Sequence, residues 1–409
     1  MPTLIQINAT PNAGSTGRIA EGIGQLAIKY GWKSYIAYGR RMTNSQSEII
    51  RIGNKWNIYW HILMTRLFDR HGLASKQATK KFIRQIRQIQ PDIIQLHNIH
   101  GYYLNYPILF DFLKEYAGPV VWTLHDCWAF TGHCAYFTLA KCNKWVIKCG
   151  VCQQKCTYPK SFFFDNSKNN FQLKKKYFAD IDNLTIIVPS QWLADLVSQS
   201  FLKKYIIKVI NNGIDTDVFL PQNNLETIRE KYTISEKFII LGVASVWSKR
   251  KGLDDFILLN NQLDANKYQI VLVGLNKQQI SNLPKQIIGI ARTENIAELA
   301  KLYSIADVFV NATYEDNFPT TNLESLACGT PVITYRTGGS VESVSEDAGV
   351  IIEQCNITQL LSAIQEIAQK GKLFYSEKCR QRALALYNKE DRFREYLDLY
   401  EKALKLNSI

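Results

Sequence analysis

Short apolar runs, each followed by turn residues and then by an amphipathic stretch, recur from one end of the chain to the other. They lie at 4–8, 34–38, 93–97, 120–125, 185–188 and 208–212, and the series restarts at 238–244, 269–274, 308–310 and 332–334. Alternating strand and helix units predict parallel sheets with helices on both faces. We therefore expect an α/β fold built from doubly wound, Rossmann-like domains.

The length of the chain sets the expected number of domains. A chain of 409 residues is too long for one ordinary core and suits two. Turn residues at 212–215 separate the two series, so we predict domains at 1–214 and 215–409, with a final helix at about 386–406 that returns to the first domain. Ligands of such sheets bind beyond the carboxyl ends of the strands. The expected site is a cleft across which the two domains face each other.

Composition limits the classes of protein that fit. Apolar residues make up 46% and charged residues 21%, which is typical of globular proteins and excludes a disordered chain. No run approaches the roughly 20 apolar residues of a membrane span, and the first residues do not resemble a secretory signal. We therefore expect a cytoplasmic protein whose nine cysteines form no disulfide framework.

The net charge of the chain is strongly positive. A value of +13 favours an anionic partner, such as a nucleotide, a phosphorylated lipid, a membrane surface or nucleic acid. The alternative is that the charge reflects only the ordinary basic composition of many globular proteins.

Two carboxylates lie eight positions apart around a predicted helix start. Asp316 precedes the turn, and Glu324 lies one turn inside a helix that is expected to begin near Thr320 or Thr321. The unpaired N–H groups and the positive dipole end of a helix N-terminus suit a diphosphate. Glu324 can then accept hydrogen bonds from ribose hydroxyls, and Asp316 from those of a sugar. In the alternative interpretation, Glu324 caps its own helix in a capping box with Thr321.

A cationic turn follows the apolar run at 238–244. Arg250 and Lys251 lie between Lys249 and Gly252, after which a new helix is expected to begin. A lysine offers a point charge and an arginine offers a fork of donors to phosphate oxygens, so this turn is a candidate diphosphate clamp. Because no nucleophile is obvious, we expect the site to stabilise a charged leaving group. The alternative is a solvated turn.

Two weaker features lie in the first half of the chain. Gly14 and Gly17 flank a turn after the first strand that resembles a phosphate-binding loop, although it is neither a P-loop nor a G-x-G-x-x-G motif. His125 ends another strand, within the segment 123–126. It is either a polar residue that lines the site or a core histidine with satisfied hydrogen bonds.

Together these motifs resemble glycosyltransferase family 4. The likeness rests on the carboxylate segment that runs into Leu-Ala-Cys-Gly-Thr-Pro-Val at 326–332, the Arg-Lys-Gly turn at 250–252, the segment 212–215 with Phe219 and Pro221, and Gly338-Gly339 with Glu342. It extends over nearly the whole chain, and the segments 14–17 and 123–126 are similar to the bacterial polysaccharide branch that includes colanic acid enzymes. The fold that this resemblance implies is GT-B, two Rossmann-like domains with a cleft between them.

The resemblance implies a role for each matching residue. The expected catalytic residues are His125, Asp316, Arg250 and Lys251, and the expected donor-binding residues are Gly14, Gly17, Arg250, Lys251, Asp316, Phe318, Thr320, Thr321 and Glu324. Glu324 matches the family's ribose-binding glutamate, and Lys251 matches its phosphate-binding lysine. The chain departs from the family at Asp316, where a glutamate is usual, and at Pro319, where glycine is frequent and a backbone N–H donor is lost.

The activity that the resemblance implies is sugar transfer with retention of configuration and without an essential metal. The donor would be a UDP- or GDP-sugar, and the acceptor a glycan or lipid-linked glycan of a cell-surface polysaccharide. The location would be the cytoplasm, with the inner face of the membrane as a point of contact, and no nucleic-acid partner is expected. Three alternatives stay open: an epimerase or phosphorylase on the same fold, a dinucleotide-dependent oxidoreductase, and a non-catalytic glycan or nucleic-acid binder. The oxidoreductase is disfavoured because the chain lacks G-x-G-x-x-G with a following acid.

Several cysteines lie close together in a predicted insertion at about 127–160. Four of them, Cys134, Cys142, Cys149 and Cys152, have the number and type of ligands for a tetrahedral structural zinc ion, and the last two form a C-x2-C pair. The alternatives are free buried thiols and a redox pair. A structural metal would fix the shape of an insertion that is expected to have little core of its own.

Aromatic and aliphatic residues recur at helical spacing between Trp56 and Phe68. They include Trp60, Leu63 and Met64. The functional interpretation is a surface that contacts a lipid-linked acceptor or the bilayer interface. The alternative, which the only moderately basic flanks favour, is a helix packed in the core of the first domain.

Overall fold

The computed structural model describes residues 1–407 and divides the chain into two compact units. The first unit contains Met1–Ile210 together with the residues from Glu390 onward, and the second contains Asn211–Lys389. The division lies four residues before the expected boundary at 214, because the last strand of the first series already ends at Val209. Within residues 1–407, no helix combines the length and the apolar character needed to cross a membrane.

A parallel sheet forms the centre of the first unit. Its strands are β1 Thr3–Asn8, β2 Lys33–Tyr38, β3 Glu48–Arg51, β4 Ile93–Leu96, β5 Val120–Thr123, β6 Leu184–Val188 and β7 Ile206–Val209. They lie in the order β3-β2-β1-β4-β5-β6-β7, with Ile5 of β1 opposite Tyr35 and Ile94. The strand order reverses between β1 and β4, and the carboxyl ends of the strands at such a reversal are where ligands bind in open sheets.

The helices of the first unit pack on both faces of this sheet. They are α1 Gly14–Lys29, α2 Lys55–Phe68, α3 Lys76–Ile89, α4 Tyr106–Glu115, α5 Ser167–Phe178, α6 Gln191–Gln199 and, at the end of the chain, α14 Lys389–Asn407. Phe393, Leu397 and Tyr400 of α14 join the same apolar cluster as Ile19 and Ile23 of α1. The end of the chain thus completes the core of the first unit.

The second unit repeats the design. Its parallel strands are β8 Phe238–Val243, β9 Tyr268–Val273, β10 Ile287–Ile290, β11 Val308–Asn311, β12 Val332–Tyr335 and β13 Gly349–Ile352, in the order β10-β9-β8-β11-β12-β13. Its helices are α7 Glu226–Tyr232, α8 Leu253–Asn260, α9 Lys277–Ser281, α10 Ile296–Ile305, α11 Thr320–Ala327, α12 Ile357–Lys370 and α13 Lys372–Tyr387. Here the strand order reverses between β8 and β11, so the loops that follow these two strands are the expected ligand site.

The prediction of two Rossmann-like sheets is confirmed, and the differences concern their edges. The edge strands β3, β10 and β13 were not predicted, whereas the edge strand β7 was predicted at 208–212 and lies at Ile206–Val209. A strand with a single partner needs a shorter apolar pattern than a central one. In addition, α1 begins at Gly14, so the predicted glycine turn is itself the first turn of the helix.

The cysteine-rich insertion between β5 and α5 contains 3-10 turns at Trp128–Phe130 and Lys144–Val146. It was expected to have little core, but Phe130, Phe137 and Trp145 are buried together. The ring centroids of Phe130 and Phe137 lie 5.2 and 5.0 Å from that of Trp145. Aromatic packing of this kind gives the insertion a small core of its own.

Candidate functional site

The loops that follow β8 and β11 bring the predicted cations and carboxylate together. Lys251 Nζ lies 2.7 Å from Asp316 Oδ2. The N–H of Tyr314 donates to the carbonyl oxygen of Arg250 at 2.8 Å, and the Arg250 guanidinium donates to the carbonyl oxygen of Glu315. The two loops therefore form one charged cluster where the strand order reverses.

Gly252 allows the cationic turn to lie directly against the end of β11. Its φ is +71°, and a Cβ at this position would lie 2.2 Å from the carbonyl oxygen of Ala312. A side chain fits neither the backbone conformation nor the available space. A glycine is therefore needed after Lys251, because it allows the cationic turn to lie close to the loop that carries Asp316.

The buried carboxylate of Asp255 helps to hold the same two loops in place. Asp255, in the first turn of α8, accepts hydrogen bonds from the hydroxyls of Tyr314 at 2.9 Å and Tyr335 at 2.6 Å. Because the rings of the two tyrosines are stacked with an interplanar angle of 3°, the loop after β11 has little freedom to move away from α8. This arrangement pre-organises the charged cluster.

Asp316 is held in its ionised form. Burial alone would raise the pKa of its carboxyl, but the positive charges of Lys251 and Arg250 outweigh burial and keep this pKa below its usual value. Hydrogen bonds from Lys251 Nζ and from the N–H of Asn317, the latter at 3.0 Å, act in the same direction. A carboxylate of this kind can accept hydrogen bonds from sugar hydroxyls, while its lysine partner suits a phosphate.

Glu324 is buried inside α11 and is held by a residue that the sequence did not indicate. Its Oε2 accepts a hydrogen bond from the hydroxyl of Tyr303 at 3.0 Å. The N-cap of α11 is Pro319, with no side-chain cap hydrogen bond, and Thr321 is already the second residue of the helix. The capping-box interpretation of Glu324 and Thr321 is therefore wrong. A buried carboxylate near the start of a helix needs another explanation.

Helix α11 begins where the sequence predicted, but the Phe318 side chain does not lie where a donor-binding residue was expected. Thr320 and Thr321 open the helix and are half-buried, and the first N–H groups of a helix lack partners inside it. Phe318 belongs to the hydrophobic core, where its ring centroid lies 5.8 Å from that of Tyr387. Its carbonyl oxygen accepts a hydrogen bond from Asn212 Nδ2 at 2.9 Å. The Phe318 side chain thus anchors the loop instead of lining the site.

Asn322 is a further buried residue of α11 that sequence reasoning missed. Its Nδ2 donates to Ser340 Oγ at 3.2 Å and Ser343 Oγ at 2.9 Å, and its Oδ1 accepts from Asn311 Nδ2 at 2.7 Å. This network ties α11 to β11 and to the 3-10 turn Gly338–Ser343. An amide between apolar helix positions was the available signal, because buried amides require partners.

In the first unit, the glycine turn lies at the carboxyl end of β1. Gly14 has a φ of +68°, and Gly17 is buried, with a Cβ there expected 3.0 Å from the carbonyl oxygen of Thr10. The N-cap of α1 is Ala13, which makes no side-chain cap hydrogen bond. A helix start without a side-chain cap is compatible with the anion site that the sequence predicts, and that site stays a prediction.

His125 is linked to a second histidine, His97, that the sequence did not indicate. His97 follows β4, its Nδ1 lies 3.2 Å from His125 Nε2, and its Nε2 lies 3.0 Å from Gln6 Oε1. Gln6 Nε2 donates to the carbonyl oxygen of Ala20, so Gln6 Oε1 is the acceptor and His97 carries its proton on Nε2. With both rings neutral, His125 donates from Nε2 to His97.

The two imidazoles are expected to make the protein less stable in mild acid. Burial lowers the pKa of His125 to about 4 and, together with the charge of His125, lowers that of His97 well below its usual value. Histidine in the unfolded chain takes up its proton near pH 6.5. The free energy of unfolding should therefore fall by up to about 1.4 kcal/mol per pH unit and histidine as the pH drops from about 6.5 towards 4. Urea unfolding across this range measures the slope.

A non-titrating variant provides the control for this pH dependence. His125→Gln should show a shallower decline than the wild type over the same range, because one of the contributing groups is gone. Equal slopes for the two proteins would contradict the assignment of a depressed pKa to His125.

The four cysteines of the predicted zinc site lie near one another in the structure. A hydrogen bond with Cys134 lowers the pKa of Cys152 to about 7. Burial raises the pKa of Cys149, which lies close to Cys142, to about 11. Within residues 1–407, no group of three or more histidine, cysteine, aspartate or glutamate side chains has positions suited to a metal ion. The nine cysteines form no disulfide within residues 1–407, and zinc stays a prediction.

Metal analysis of the purified protein tests the zinc prediction. The hypothesis requires about one zinc ion per chain, and a loss of most of it in Cys149→Ser, which removes one of four thiolate ligands. Cys156→Ser is the matched control, since Cys156 is an exposed thiol of the same insertion that was not assigned as a ligand. Metal-free wild-type protein, or equal zinc loss in both variants, would exclude the site.

Both halves of the chain match models of known protein families. The family model described as Glycosyltransferase Family 4 matches residues 35–218, and the model described as Glycosyl transferases group 1 matches residues 224–384. The first match covers most of the first unit, and the second contains the charged cluster at the ends of β8 and β11. Together they account for most of the chain.

Individual proteins agree with this placement. WcaC of Escherichia coli (strain K12), a glycosyl transferase named for colanic acid biosynthesis, is 22% identical over 97% of this chain and 99% of its own. The sucrose-phosphate synthase of Thermosynechococcus elongatus has a TM-score of 0.73 at 17% identity, over 99% of this chain and 100% of its own. Anabaena Alr3699/HepE, solved in complex with UDP-glucose, has a TM-score of 0.67 at 14% identity, over 98% of this chain and 99% of its own. The chain therefore belongs to glycosyltransferase family 4, has the GT-B fold and is similar to the colanic acid branch of the family.

Proposed function

We propose that this glycosyltransferase moves a sugar from a nucleoside-diphosphate sugar to a glycan or lipid-linked glycan in the synthesis of a cell-surface polysaccharide. The observation that carries the proposal is the charged cluster of Arg250, Lys251 and Asp316, where the strand order of the second sheet reverses. It combines cations for a diphosphate with a carboxylate for hydroxyl groups at the place where α/β sheets bind nucleotides. The similarity to a structure that contains UDP-glucose supports the same class of donor.

The proposed donor site has three parts. Lys251 and Arg250 bind the diphosphate, and the N-terminus of α11, at Thr320 and Thr321, contributes its N–H groups and dipole. Glu324, supported by the Tyr303 hydroxyl, accepts hydrogen bonds from the ribose. Asp316 accepts hydrogen bonds from the donor sugar once the phosphate competes for Lys251.

The proposed reaction breaks the bond between the anomeric carbon and the β-phosphate oxygen. Lys251 and Arg250 stabilise the negative charge that develops on the departing diphosphate. The acceptor oxygen attacks the anomeric carbon from the same face, and its proton passes to the departing phosphate. This front-face path gives retention without a protein nucleophile, and it requires no metal because the two side-chain cations carry the charge stabilisation.

We assign the acceptor side to the first unit, where His125 lies at the carboxyl end of β5. Gly14 and Gly17, at the carboxyl end of β1, stay proposed donor-binding residues. His125 would contribute a neutral, hydrogen-bonding imidazole, since burial lowers its pKa to about 4. We place the reaction in the cytoplasm, at the inner face of the membrane where a lipid-linked acceptor is accessible.

A donor screen tests the proposed function. Purified protein is incubated with individual UDP- and GDP-sugars, with and without a lipid extract, and nucleoside diphosphate release is followed. We expect release from one class of donor that increases with acceptor and continues in the presence of EDTA, and an α-donor should give an α-linked product by NMR. Release from no donor would refute the proposal, and rapid isomerisation of a donor without acceptor would favour an epimerase.

A further inference from the structure

Helix α2 is turned so that its aromatic side faces solvent. Its buried side chains are His61 and Thr65, which are polar, whereas Trp56 is 79% and Trp60 is 57% exposed. The expectation that this helix packs its apolar side in the core is therefore wrong. A helix with polar residues inside and tryptophans outside is the reverse of the ordinary arrangement.

The polar side of α2 is fastened to the unit by specific hydrogen bonds. His61 Nε2 accepts from the N–H of Gly72 at 2.9 Å, so His61 Nδ1 is the protonated nitrogen and donates to Ser75 Oγ, also at 2.9 Å. Thr65 Oγ1 donates to the carbonyl oxygen of His61. Asp69, which ends the helix, is paired with His133 Nδ1 at 2.5 Å. These hydrogen bonds and this ion pair fix the orientation of α2 in which its aromatic side faces outward.

A run of three phenylalanines lies beside the end of α2. Phe162, Phe163 and Phe164 are 52%, 69% and 58% exposed. The N–H of Phe162 donates to the carbonyl oxygen of Arg66 at 2.8 Å, and the Phe164 ring stacks on that of Phe68 at 5.6 Å. The run and the helix therefore form one surface.

We define this aromatic patch by its exposed members, Trp56, Tyr59, Trp60, Leu63, Phe68, Phe162, Phe163 and Phe164. With the size of aromatic side chains and these exposures, the patch presents on the order of 1,000 Å². The largest apolar patch of an ordinary monomer is about 300–600 Å², and larger ones mark contact surfaces.

The sequence around the aromatic patch is almost free of negative charge. Between 49 and 91, nine lysines and arginines stand against one acid, Asp69, which is buried. Between 139 and 177, nine lysines, of which only Lys174 is buried, stand against Asp165. These two segments carry more positive charge than the net +13 of the whole chain, so the partner of the patch should be apolar and anionic at once.

We propose that the aromatic patch binds the surface of an anionic lipid bilayer. Tryptophan, tyrosine and phenylalanine rings insert at the level of the lipid headgroups, and surrounding cations attract the negative surface, which gives reversible peripheral binding. The surface chemistry fits a bilayer better than a nucleic acid, because the protruding rings need an apolar layer. The proposal is independent of sugar transfer, since binding requires no donor.

Vesicle flotation of the full chain without any nucleotide sugar tests this proposal. We expect binding to phosphatidylethanolamine vesicles that contain phosphatidylglycerol, weaker binding without phosphatidylglycerol, and a decrease with added salt. The variant Trp56→Ser/Trp60→Ser/Phe163→Ser should bind at least about 100-fold more weakly, because three exposed rings no longer insert.

The matched control replaces exposed apolar residues elsewhere. Leu373 and Phe374 of α13 are 90% and 63% exposed, and Leu373→Ser/Phe374→Ser should bind vesicles like the wild type. Circular dichroism checks that the variants fold, and the single change Trp60→Ser replaces the triple variant if that variant does not. Equal vesicle binding by wild type and patch variant, absence of binding, or a wild type that self-associates through the patch instead would each overturn the proposal.

Discussion

Replacing Lys251 by alanine is expected to lower kcat for sugar transfer by about 100- to 1,000-fold. Lys251 Nζ is 2.7 Å from Asp316 in a cluster that Gly252 and Asp255 hold in place. Such a pre-organised cation contributes most where charge develops, which is on the departing diphosphate. The loss should therefore appear in kcat more than in the KM for the donor. Steady-state rates of nucleoside diphosphate release measure both quantities.

Lys249→Ala is the matched control for this prediction. Lys249 belongs to the same 3-10 turn Lys249–Lys251 and is exposed, and no ion pair to an acid is found for it among the described residues. Its removal changes the local net charge by the same amount, so a general electrostatic effect would reduce activity in both variants. We expect a loss only for Lys251→Ala, and a similar loss in the two variants would contradict the assigned role.

A destabilised protein is the other explanation that must be separated. In Lys251→Ala, the part-buried carboxylate of Asp316 loses its ion-pair partner, and a poorly compensated charge of this kind is costly. The double variant Lys251→Ala/Asp316→Asn should regain most of the lost thermal stability while staying inactive. Activity that returned with stability would show that Lys251 acts only through the fold.

The fold was largely predictable because its signals are local. Buried parallel strands such as β1 and β8 are short apolar runs between turn residues, and central strands need such runs on both faces. The edge strand β3, by contrast, has exposed Glu48 and Arg51 at its ends, so its pattern is too short to be distinguished from a loop. The sequence therefore indicates the centre of a sheet more reliably than its edges.

The candidate site was predictable where a residue acts through charge at the end of a strand, as Lys251 and Asp316 do. It was not predictable where a residue acts through tertiary partners. Phe318 lies in the charged loop by sequence but in the core by packing, and Tyr303 reaches Glu324 from another helix. Such contacts depend on how α10 and α11 pack, which local patterns do not encode.

The orientation of α2 shows the same limit in another form. The spacing from Trp56 to Phe68 correctly indicates a helix with an apolar side, but it does not indicate which side faces the rest of the unit. That choice is made by partners distant from the stripe, above all Gly72 and Ser75, which bind His61. Amphipathicity alone predicts that the apolar side of a helix packs inside, and for α2 this prediction is wrong.

Replacing Glu324 by glutamine is expected to raise the KM for the donor by about 10- to 100-fold with a smaller change in kcat. The carboxylate is buried in α11 and accepts from Tyr303 at one oxygen, and its proposed ligand is the pair of ribose hydroxyls, which do not change charge during the reaction. An interaction of equal strength in the ground and transition states affects KM rather than kcat. This pattern is the opposite of the one expected for Lys251→Ala.

The Glu324 assignment can be tested by a double-mutant cycle that combines Glu324→Gln with a donor whose ribose lacks both hydroxyls. The wild type should use this donor about 10- to 100-fold less efficiently than the normal one, whereas Glu324→Gln should discriminate little between them, because the interacting pair is already broken. Tyr303→Phe, which removes only the hydrogen bond that supports the carboxylate, should keep most of the discrimination. If Glu324→Gln discriminates as strongly as the wild type, the ribose lies elsewhere and the carboxylate only stabilises α11.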